Sequence, residues 1–255
     1  MSKISAIIPT FNEAHNIVGA IKSVSFADEI LVVDSYSTDD TVDLAKELGA
    51  RIIQREYGNS ASQKNWAIPQ ATHEWIILLD ADERIDEALR KEIQATIQNP
   101  SGSVAFWIKR RNFFMNKEVK YSGWQGDKVI RLFMRDKCRY EDKSVHAEVL
   151  ADGNVGTLKN KLTHNTYKDI FHFLEKWDRY ATWAAQDRSS RGEKPGFYHF
   201  VFKPGFRFFH DYILKGGILD GMVGIIISAL GSMSVFMRAL KTWQLNKDKS
   251  NGKQS

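Results

Sequence analysis

The sequence predicts an α/β protein: a mostly parallel sheet flanked by helices, followed by a helical, amphipathic C-terminal extension. Three observations carry this. Through the first hundred residues, short β-branched runs alternate with helical apolar periodicity, the grammar of βαβ units. After Pro100, strand-like runs continue without long helices between them. From Lys168 onward, helical patterns take over and end in a stretch mixing aromatic, basic and apolar residues.

Taken in order, Ile4 to Ile8 reads as a strand and Ala14 to Val24 as a helix with Ile17, Ala20, Ile21 and Val24 on one face. Glu29 to Val33 is the next strand, ending in Asp34, and Thr38 or Asp39 can cap a helix through Leu48. Ala50 to Gln54 forms a third strand and Ser60 to Ala67 a third helix. Trp75 to Leu79 has the length and β-branched content of a strand buried on both faces, and Asp86 to Ile97 follows as a helix. Val104 to Lys109, Lys128 to Met134 and Ser144 to Leu150 read as strands of a mixed or antiparallel extension of the same sheet. Lys168 to Ser190 is a long helix whose stripe Phe171, Phe173, Leu174, Trp177, Tyr180 and Trp183 suits helix packing better than a glycan platform.

The last segment, Phe197 to Trp243, contains an apolar tract, Gly221 to Met237, without a formal charge. The tract falls short of the roughly 20 apolar residues of a membrane span. Glycine and serine interrupt it, and Asp220 precedes it. An interfacial or re-entrant helix pair fits better. Lys203, Arg207, Lys215, Arg238 and Lys241 would meet anionic headgroups, and Phe206, Phe208, Phe209, Tyr212 and Trp243 would sit at the interface. The alternative is a helical hairpin packed on the soluble domain. The expected division is 1–165 as the α/β domain, 166–245 as a membrane-associating helical extension and 246–255 as a disordered tail.

The chain has 255 residues, 43% of them hydrophobic, which suffices for a substantial core. Its single cysteine, Cys138, cannot form an internal disulfide and fits a reducing compartment. The N-terminus enters a strand directly, without a signal-peptide pattern. Together these predict a protein that stays in the cytosol or on the cytosolic side of a membrane. A formal charge of +5 suits anionic partners such as nucleotides, phosphorylated glycans or acidic lipids. No nucleic-acid module is recognisable, so no nucleic-acid partner is expected.

The chemistry concentrates at the ends of strands. The apolar run Trp75 to Leu79 stops at Asp80-Ala81-Asp82, two acids at the place where an open α/β sheet opens onto its ligand crevice. Two carboxylates there make a hard-oxygen site for Mg²⁺ or Mn²⁺, metals that keep waters and take phosphate oxygens. The run Pro9-Thr-Phe-Asn-Glu13 follows the first strand, and Asp34-Ser-Tyr-Ser-Thr-Asp-Asp-Thr41 follows the second. In a parallel sheet these ends share one edge. A carboxylate such as Asp34 can accept from a uracil imide or from ribose hydroxyls, and Asn12 and Glu13 lie where a nucleotide could rest. Each piece alone reads equally well as ordinary turn and cap chemistry. A glycine-rich dinucleotide fingerprint and a Walker loop are both absent, so phosphates would be held by metal and side chains.

Ile7-Ile-Pro-Thr-Phe-Asn-Glu13, Val32-Val-Asp-Ser-Tyr-Ser-Thr-Asp-Asp-Thr41, Gln63-Lys-Asn65 and Leu78-Leu-Asp-Ala-Asp-Glu83 resemble, in order, the signatures of family-2 glycosyltransferases of the GT-A fold. Gly123-Trp-Gln-Gly-Asp-Lys-Val-Ile-Arg-Leu-Phe133, Ser144-Val-His-Ala-Glu148 and Leu162-Thr-His-Asn-Thr-Tyr167 resemble a bacterial branch that attaches a sugar, often glucose, to the heptose of lipopolysaccharide inner core. Ala147 departs from that pattern, which has Glu after the histidine.

The resemblance implies an inverting transferase that moves a hexose, glucose foremost, from a UDP-sugar onto a lipopolysaccharide core or other lipid-linked glycan. It implies Asp82 as the metal ligand, with His146 or His164 completing the site, and Asp80 near the ribose or a metal-bound water. Asp34 would hold the uracil; Pro9, Thr10, Asn12 and Glu13 would line the nucleotide cleft. Lys64 would meet the base or a phosphate, and Arg131 the diphosphate or an acceptor phosphate. Asp127 is the general base expected on the acceptor side, ahead of Glu141 and Asp142, with Trp124 available to stack on a sugar. A nucleotidyltransferase would share the sheet and metal acid, but not the lack of a glycine-rich loop. A catalytically inactive sugar-nucleotide-binding scaffold would not need the acids at 80, 82 and 127.

Overall fold

The computed structural model describes residues 2–143, 147–167 and 170–252. The chain forms two compact units, Met1–Arg111 with Asp127–His164, and Asn112–Gly126 with Asn165–Ser255.

The first unit starts with alternating strands and helices: β1 (Ile4–Thr10), α1 (Ala14–Ser23), β2 (Glu29–Asp34), α2 (Thr41–Glu47), β3 (Arg51–Gln54), α3 (Ser60–Ala67) and β4 (Trp75–Leu78). A two-residue strand, β5 (Glu83–Arg84), and α4 (Glu87–Gln98) follow. Next along the chain come β6 (Ser103–Phe114), β7 (Lys117–Val119), which belongs to the second unit, β8 (Lys128–Met134), β9 (Cys138–Tyr140), β10 (Val149–Ala151) and β11 (Asn154–Tyr167). Among the described residues the main sheet has the order β3-β2-β1-β4-β8-β6-β11-β5, with β7 on the end of β6; β9 and β10 form a separate pair. The β3-β2-β1-β4 pairings are parallel, and β4-β8, β8-β6 and β11-β5 are antiparallel. The fold is the expected α/β architecture of the GT-A kind, mixed in strand direction beyond β4 as the change of pattern after Pro100 predicts.

Burial on both faces follows from the two-residue period of the strands. Ile4, Ala6 and Ile8 of β1 join Trp75 and Ile77 of β4 in one cluster, covered by Ile17, Ala20 and Ile21 of α1, Ala45 of α2, and Leu89, Ile93 and Ile97 of α4. Ile7, Leu31, Val33, Ile76 and Leu78, one residue out of phase, join Ala61 and Ala67 of α3 in the other. Helices on both faces therefore close two cores over one sheet.

Some boundaries differ from expectation. Helix α2 begins at Thr41, with Asp40 at the cap position. Asp39 instead accepts from the Thr41 N–H (3.1 Å) and from Ala14 N–H (3.1 Å), because joining two loops satisfies more donors than capping one helix. Strand β11 carries no strand signal in its sequence. Its core residues Leu158 and Leu162 stand four apart, among lysines, asparagines and threonines. Of the expected strand Ser144 to Leu150, Val149 and Leu150 are in β10, while Ser144–His146 lie outside the described residues.

The second unit contains α5 (Ile170–Ser190), α6 (Phe197–Phe200), α7 (Phe202–Phe209) and α8 (Met222–Ser250), with a π-turn at His210–Leu214 between α7 and α8. Phe114, Val119, Phe173 and Ile227 form its apolar centre, with Trp124, Trp177 and Leu230 against them. Of the aromatic stripe on α5, Phe173 and Trp177 pack inward, Tyr180 is exposed, and the Phe171 side chain lies outside those described. Helix α8 is long and apolar enough to cross a membrane by length and composition, and it continues to Ser250, through the first half of the expected tail. It is two-faced: Gly224, Ile227, Ser228, Val235, Ala239 and Thr242 are buried, whereas Met222, Ile225, Ile226, Met233, Phe236 and Trp243 are exposed.

Candidate active site

At the carboxyl end of the parallel strands, the loops after β1 and β2 are stitched together. Thr10 and Asp34 are register partners at the strand ends. Asp34 is fully buried. It accepts from the Ser37 N–H (3.0 Å), the Ser37 hydroxyl (2.5 Å) and the Gln54 amide (2.9 Å). Asn12, in the left-handed region at φ 53°, donates its N–H to the Ser37 hydroxyl (2.9 Å) and accepts from the Thr38 N–H (2.8 Å). The Glu13 N–H donates to the Thr41 hydroxyl (2.8 Å), and its carboxylate accepts from Asn16 (2.8 Å). The Thr10 hydroxyl is buried without a hydrogen-bond partner among the described residues. An orphaned buried hydroxyl at a strand end is a group that a ligand can satisfy. Pro9 sits one residue earlier, half-buried.

The second half of the site is an ion network around the turn after β4. Glu83, fully buried, accepts from Arg110 Nε (2.9 Å) and Nη2 (2.6 Å) and from Arg131 Nη2 (2.9 Å). Its other oxygen accepts from the Asp80 N–H (3.0 Å), which closes the turn. Asp80 pairs with Arg131 and with Lys64 Nζ (3.1 Å), and Arg110 lies 3.9 Å away. Burial opposes the Asp80 charge, but Arg131, then Lys64 and Arg110, outweigh it and hold the carboxyl far below the ordinary carboxylate range. Burial likewise opposes the charge on Arg131, and Asp80 and Glu83 push its pKa well above the usual value. Asp127 meets the same network, with Arg110 Nη1 at 3.6 Å. Three cations, Lys64, Arg110 and Arg131, thus face three carboxylates, Asp80, Glu83 and Asp127.

Each member of Gln63-Lys64-Asn65 has a separate task. Gln63 donates to the Val33 carbonyl (3.2 Å) and the Ser35 hydroxyl (2.6 Å), tying α3 to the end of β2. Lys64 reaches Asp80 and lies 5.2 Å from the centroid of the Tyr140 ring. Asn65 closes a two-bond ring with the Tyr140 backbone, at 2.9 and 2.8 Å. Lys64 is therefore not a solvated helix lysine; its side chain is 10% exposed.

Arg131, expected to meet a phosphate directly, is 3% exposed and engaged by Asp80, Glu83 and the Tyr140 hydroxyl (3.4 Å). Its guanidinium is turned onto those three partners. Arg110 and Glu83 complete the network, yet the sequence reading assigns neither a role. The available signal was parity: Arg110 stands two residues beyond the core residue Ile108 and so points to the same side of the sheet. Trp124 packs into the apolar centre of the helical unit.

The Asp82 side chain is 14% exposed, and His164 Nε2 is 3.7 Å from its carboxylate. The pairing of β5 with β11 puts His164 opposite Glu83 and so creates this proximity. Arg84 braces the turn by donating to the Ala81 and Glu83 carbonyls (both 2.6 Å) and to the Asn16 carbonyl (2.9 Å). No group of three or more metal-ligating side chains is found among the described residues. His146 lies outside them. The Asp82 carboxylate suits Mg²⁺ or Mn²⁺, which complete their shells with water and phosphate oxygens; the His164 imidazole is a less usual ligand for these hard ions.

The profile of glycosyl transferase family 2 matches residues 5–150. A lipopolysaccharide core biosynthesis glycosyltransferase, LpsC of Rhizobium meliloti, is 29% identical over 248 residues, covering 94% of this chain and 92% of its own. An uncharacterized glycosyltransferase of Rickettsia felis is 28% identical over 280 residues, covering 98% of this chain and 99% of its own. Among solved structures, glucosyl-3-phosphoglycerate synthase from Mycobacterium tuberculosis, in complex with Mn²⁺, UDP and glucosyl-3-phosphoglycerate, aligns at 24% identity and a TM-score of 0.38 over 44% of each chain.

Proposed function

The chain belongs to glycosyltransferase family 2, and on that premise we propose that it transfers a hexose, glucose foremost, from a UDP-sugar to a lipopolysaccharide core or related lipid-linked glycan, with inversion at the anomeric carbon. The observation that carries this reading is the continuous network from Lys64 through Asp80, Glu83, Arg131 and Arg110 to Asp127, with Asp82, paired with His164, on the same turn after β4. The similarity to LpsC supports the acceptor class.

In this reading the uridine rests on the Thr10–Glu13 loop, where the unpartnered Thr10 hydroxyl gains a bond; Asp34, expected to hold the uracil, is fully buried with both oxygens engaged by Ser37 and Gln54, and orders the adjoining loop instead. Asp80, oriented by three cations and about a third exposed, faces the ribose. Asp82 and His164 would hold a divalent ion, which would supply a counter-charge for the UDP leaving group. Asp127 accepts the proton of the acceptor hydroxyl as its oxygen bonds to the anomeric carbon and the bond to UDP breaks. Arg110 orients Asp127 from 3.6 Å and couples it to the donor side of the network. The exposed outer face of α8, with Phe202, Phe206 and Phe209 on α7, meets the cytoplasmic face of the inner membrane, where a lipid-linked acceptor resides.

The test is a UDP-hexose screen with purified protein, followed by mass spectrometry of truncated lipopolysaccharide. UDP-glucose hydrolysis in the presence of Mn²⁺ is expected to fall by about 10²-fold or more in Asp82→Ala. No turnover of any UDP-sugar, or hydrolysis indifferent to Asp82→Ala, would overturn the reading.

A further inference from the structure

The loop Lys120–Gly126 belongs to the helical unit, and the next residue along the chain is Asp127. The turn between α7 and α8 holds this loop. Asp220 accepts from the N–H groups of Lys120 and Tyr121 (both 3.0 Å) and from the Ser122 hydroxyl (2.9 Å). The Lys215 carbonyl accepts from the Ser122 N–H (3.2 Å) and from the Gln125 amide (3.0 Å). One carboxylate and one carbonyl, both from the turn, therefore take five donors from one short stretch.

Two glycines permit this approach. A Cβ on Gly217 would lie 2.8 Å from the Asp211 carbonyl oxygen and 3.0 Å from the Ser122 hydroxyl. Gly216, at φ 71°, sits against the Tyr121 ring, which a Cβ would meet at 3.3 Å. The loop also contains consecutive left-handed residues, Ser122 at φ 58° and Gly123 at φ 86°. A non-glycine residue persists in that region only where its surroundings over-determine it. The Asp220 and Lys215 acceptors supply that constraint, and the packing of Trp124 against Phe114 and Ile227 adds to it.

We propose that Asp220 is a positioning residue for glycosyl transfer: by clamping Lys120–Ser122 it sets the path of the chain into Asp127 and hence the reach of that carboxylate to the acceptor hydroxyl. The inference rests on the assignment of Asp127 as base. Asp220 touches neither donor nor acceptor in this scheme. Its loss acts on turnover, because misplacing a reacting group by about 1 Å costs up to about 10²-fold.

The experiment uses the full chain as wild type, Asp220→Ala and Asp220→Asn, with UDP-glucose, Mn²⁺ and lipopolysaccharide truncated at the inner-core heptose. If that acceptor is not modified, water serves as the acceptor. UDP binding is measured by calorimetry, and amide hydrogen exchange is followed over residues 118–127. Asp220→Ala is expected to bind UDP as wild type does, to keep KM for UDP-glucose within about twofold, and to lose about ten- to a hundredfold in kcat. Exchange at the Lys120 and Tyr121 amides should accelerate. Asp220→Asn, which retains an acceptor oxygen, should recover part of the kcat loss; it serves alone if the alanine variant does not fold. Unchanged kcat, even with faster exchange, overturns the proposal. So does a parallel loss of kcat and UDP affinity, which would mark general damage. Wild-type protein that binds no UDP would instead overturn the donor assignment.

Discussion

Replacing Arg131 by methionine probes the network at its most buried cation. Methionine keeps much of the stem volume on β8 and removes the guanidinium, so Asp80 loses its nearest cation and the fully buried Glu83 loses one of its two arginines. Removing one partner of a buried pair costs about 3–5 kcal/mol. Lys64 still faces Asp80 at 3.1 Å and Arg110 still donates twice to Glu83. A third of the Asp80 side chain is exposed, so solvent screens part of the stranded charge. The lower end of the range therefore applies, about 3 kcal/mol, or a fall in Tm of about 6–12 °C for a chain of this size.

The pH dependence sharpens the test. Burial opposes the charge on Asp80, but Arg131 above all holds its folded pKa far below the ordinary value. The resulting stabilisation is fully present above the unfolded carboxyl pKa, about 4, and is lost only as pH falls through the depressed folded value. Without Arg131 the folded pKa rises, and protonation of Asp80 relieves the stranded charge. The cost of the substitution should then shrink as pH drops from 7 to 4. Urea denaturation of both proteins at the two pH values, followed by circular dichroism, measures it. A cost under about 1 kcal/mol at pH 7, as for an exposed pair, or a cost that grows toward pH 4, would refute the reasoning.

Three other outcomes follow from the same geometry. Asp127→Asn should lower glycosyl transfer by about 10²–10⁴-fold while calorimetry shows UDP affinity unchanged; unaltered transfer would remove Asp127 from the base role. His164→Ala should weaken the Mn²⁺ dependence of UDP-glucose hydrolysis, raising the metal concentration at half-maximal rate by about tenfold or more, and an unmoved metal titration would exclude it as a ligand. Membranes from cells expressing the full chain should retain the protein through a salt wash and release it in carbonate; full release by salt alone would exclude apolar insertion of the α7–α8 hairpin.

Periodicity alone made most of the first unit legible. The strands β1, β2 and β4 are β-branched runs, and two-residue alternation carries Ile7 and Ile8 into different cores. Helix α3 was readable at its start, and Asp86 caps α4 by accepting from the Leu89 N–H, just where the pattern starts. The four motifs likewise marked the edge at which the candidate site lies, because in a parallel sheet the carboxyl ends of strands coincide whatever fills the core. Strands β5, β7 and β11 escaped such reading. They are held by pairing with distant segments, and their own side chains carry little apolar signal.

The sequence by itself thus determined which elements form and which loops carry acidic and polar groups, since both depend on neighbours a few residues apart. Only the tertiary structure decided how those groups are used. It turned Arg131 inward onto Asp80 and Glu83, recruited Arg110 to join Asp127 to them, and set His164 beside Asp82 through the β5–β11 pairing. It also brought Asp220 back to the loop preceding Asp127. Each of these contacts joins residues well apart in the chain and depends on strand register and charge balance, which no local pattern encodes.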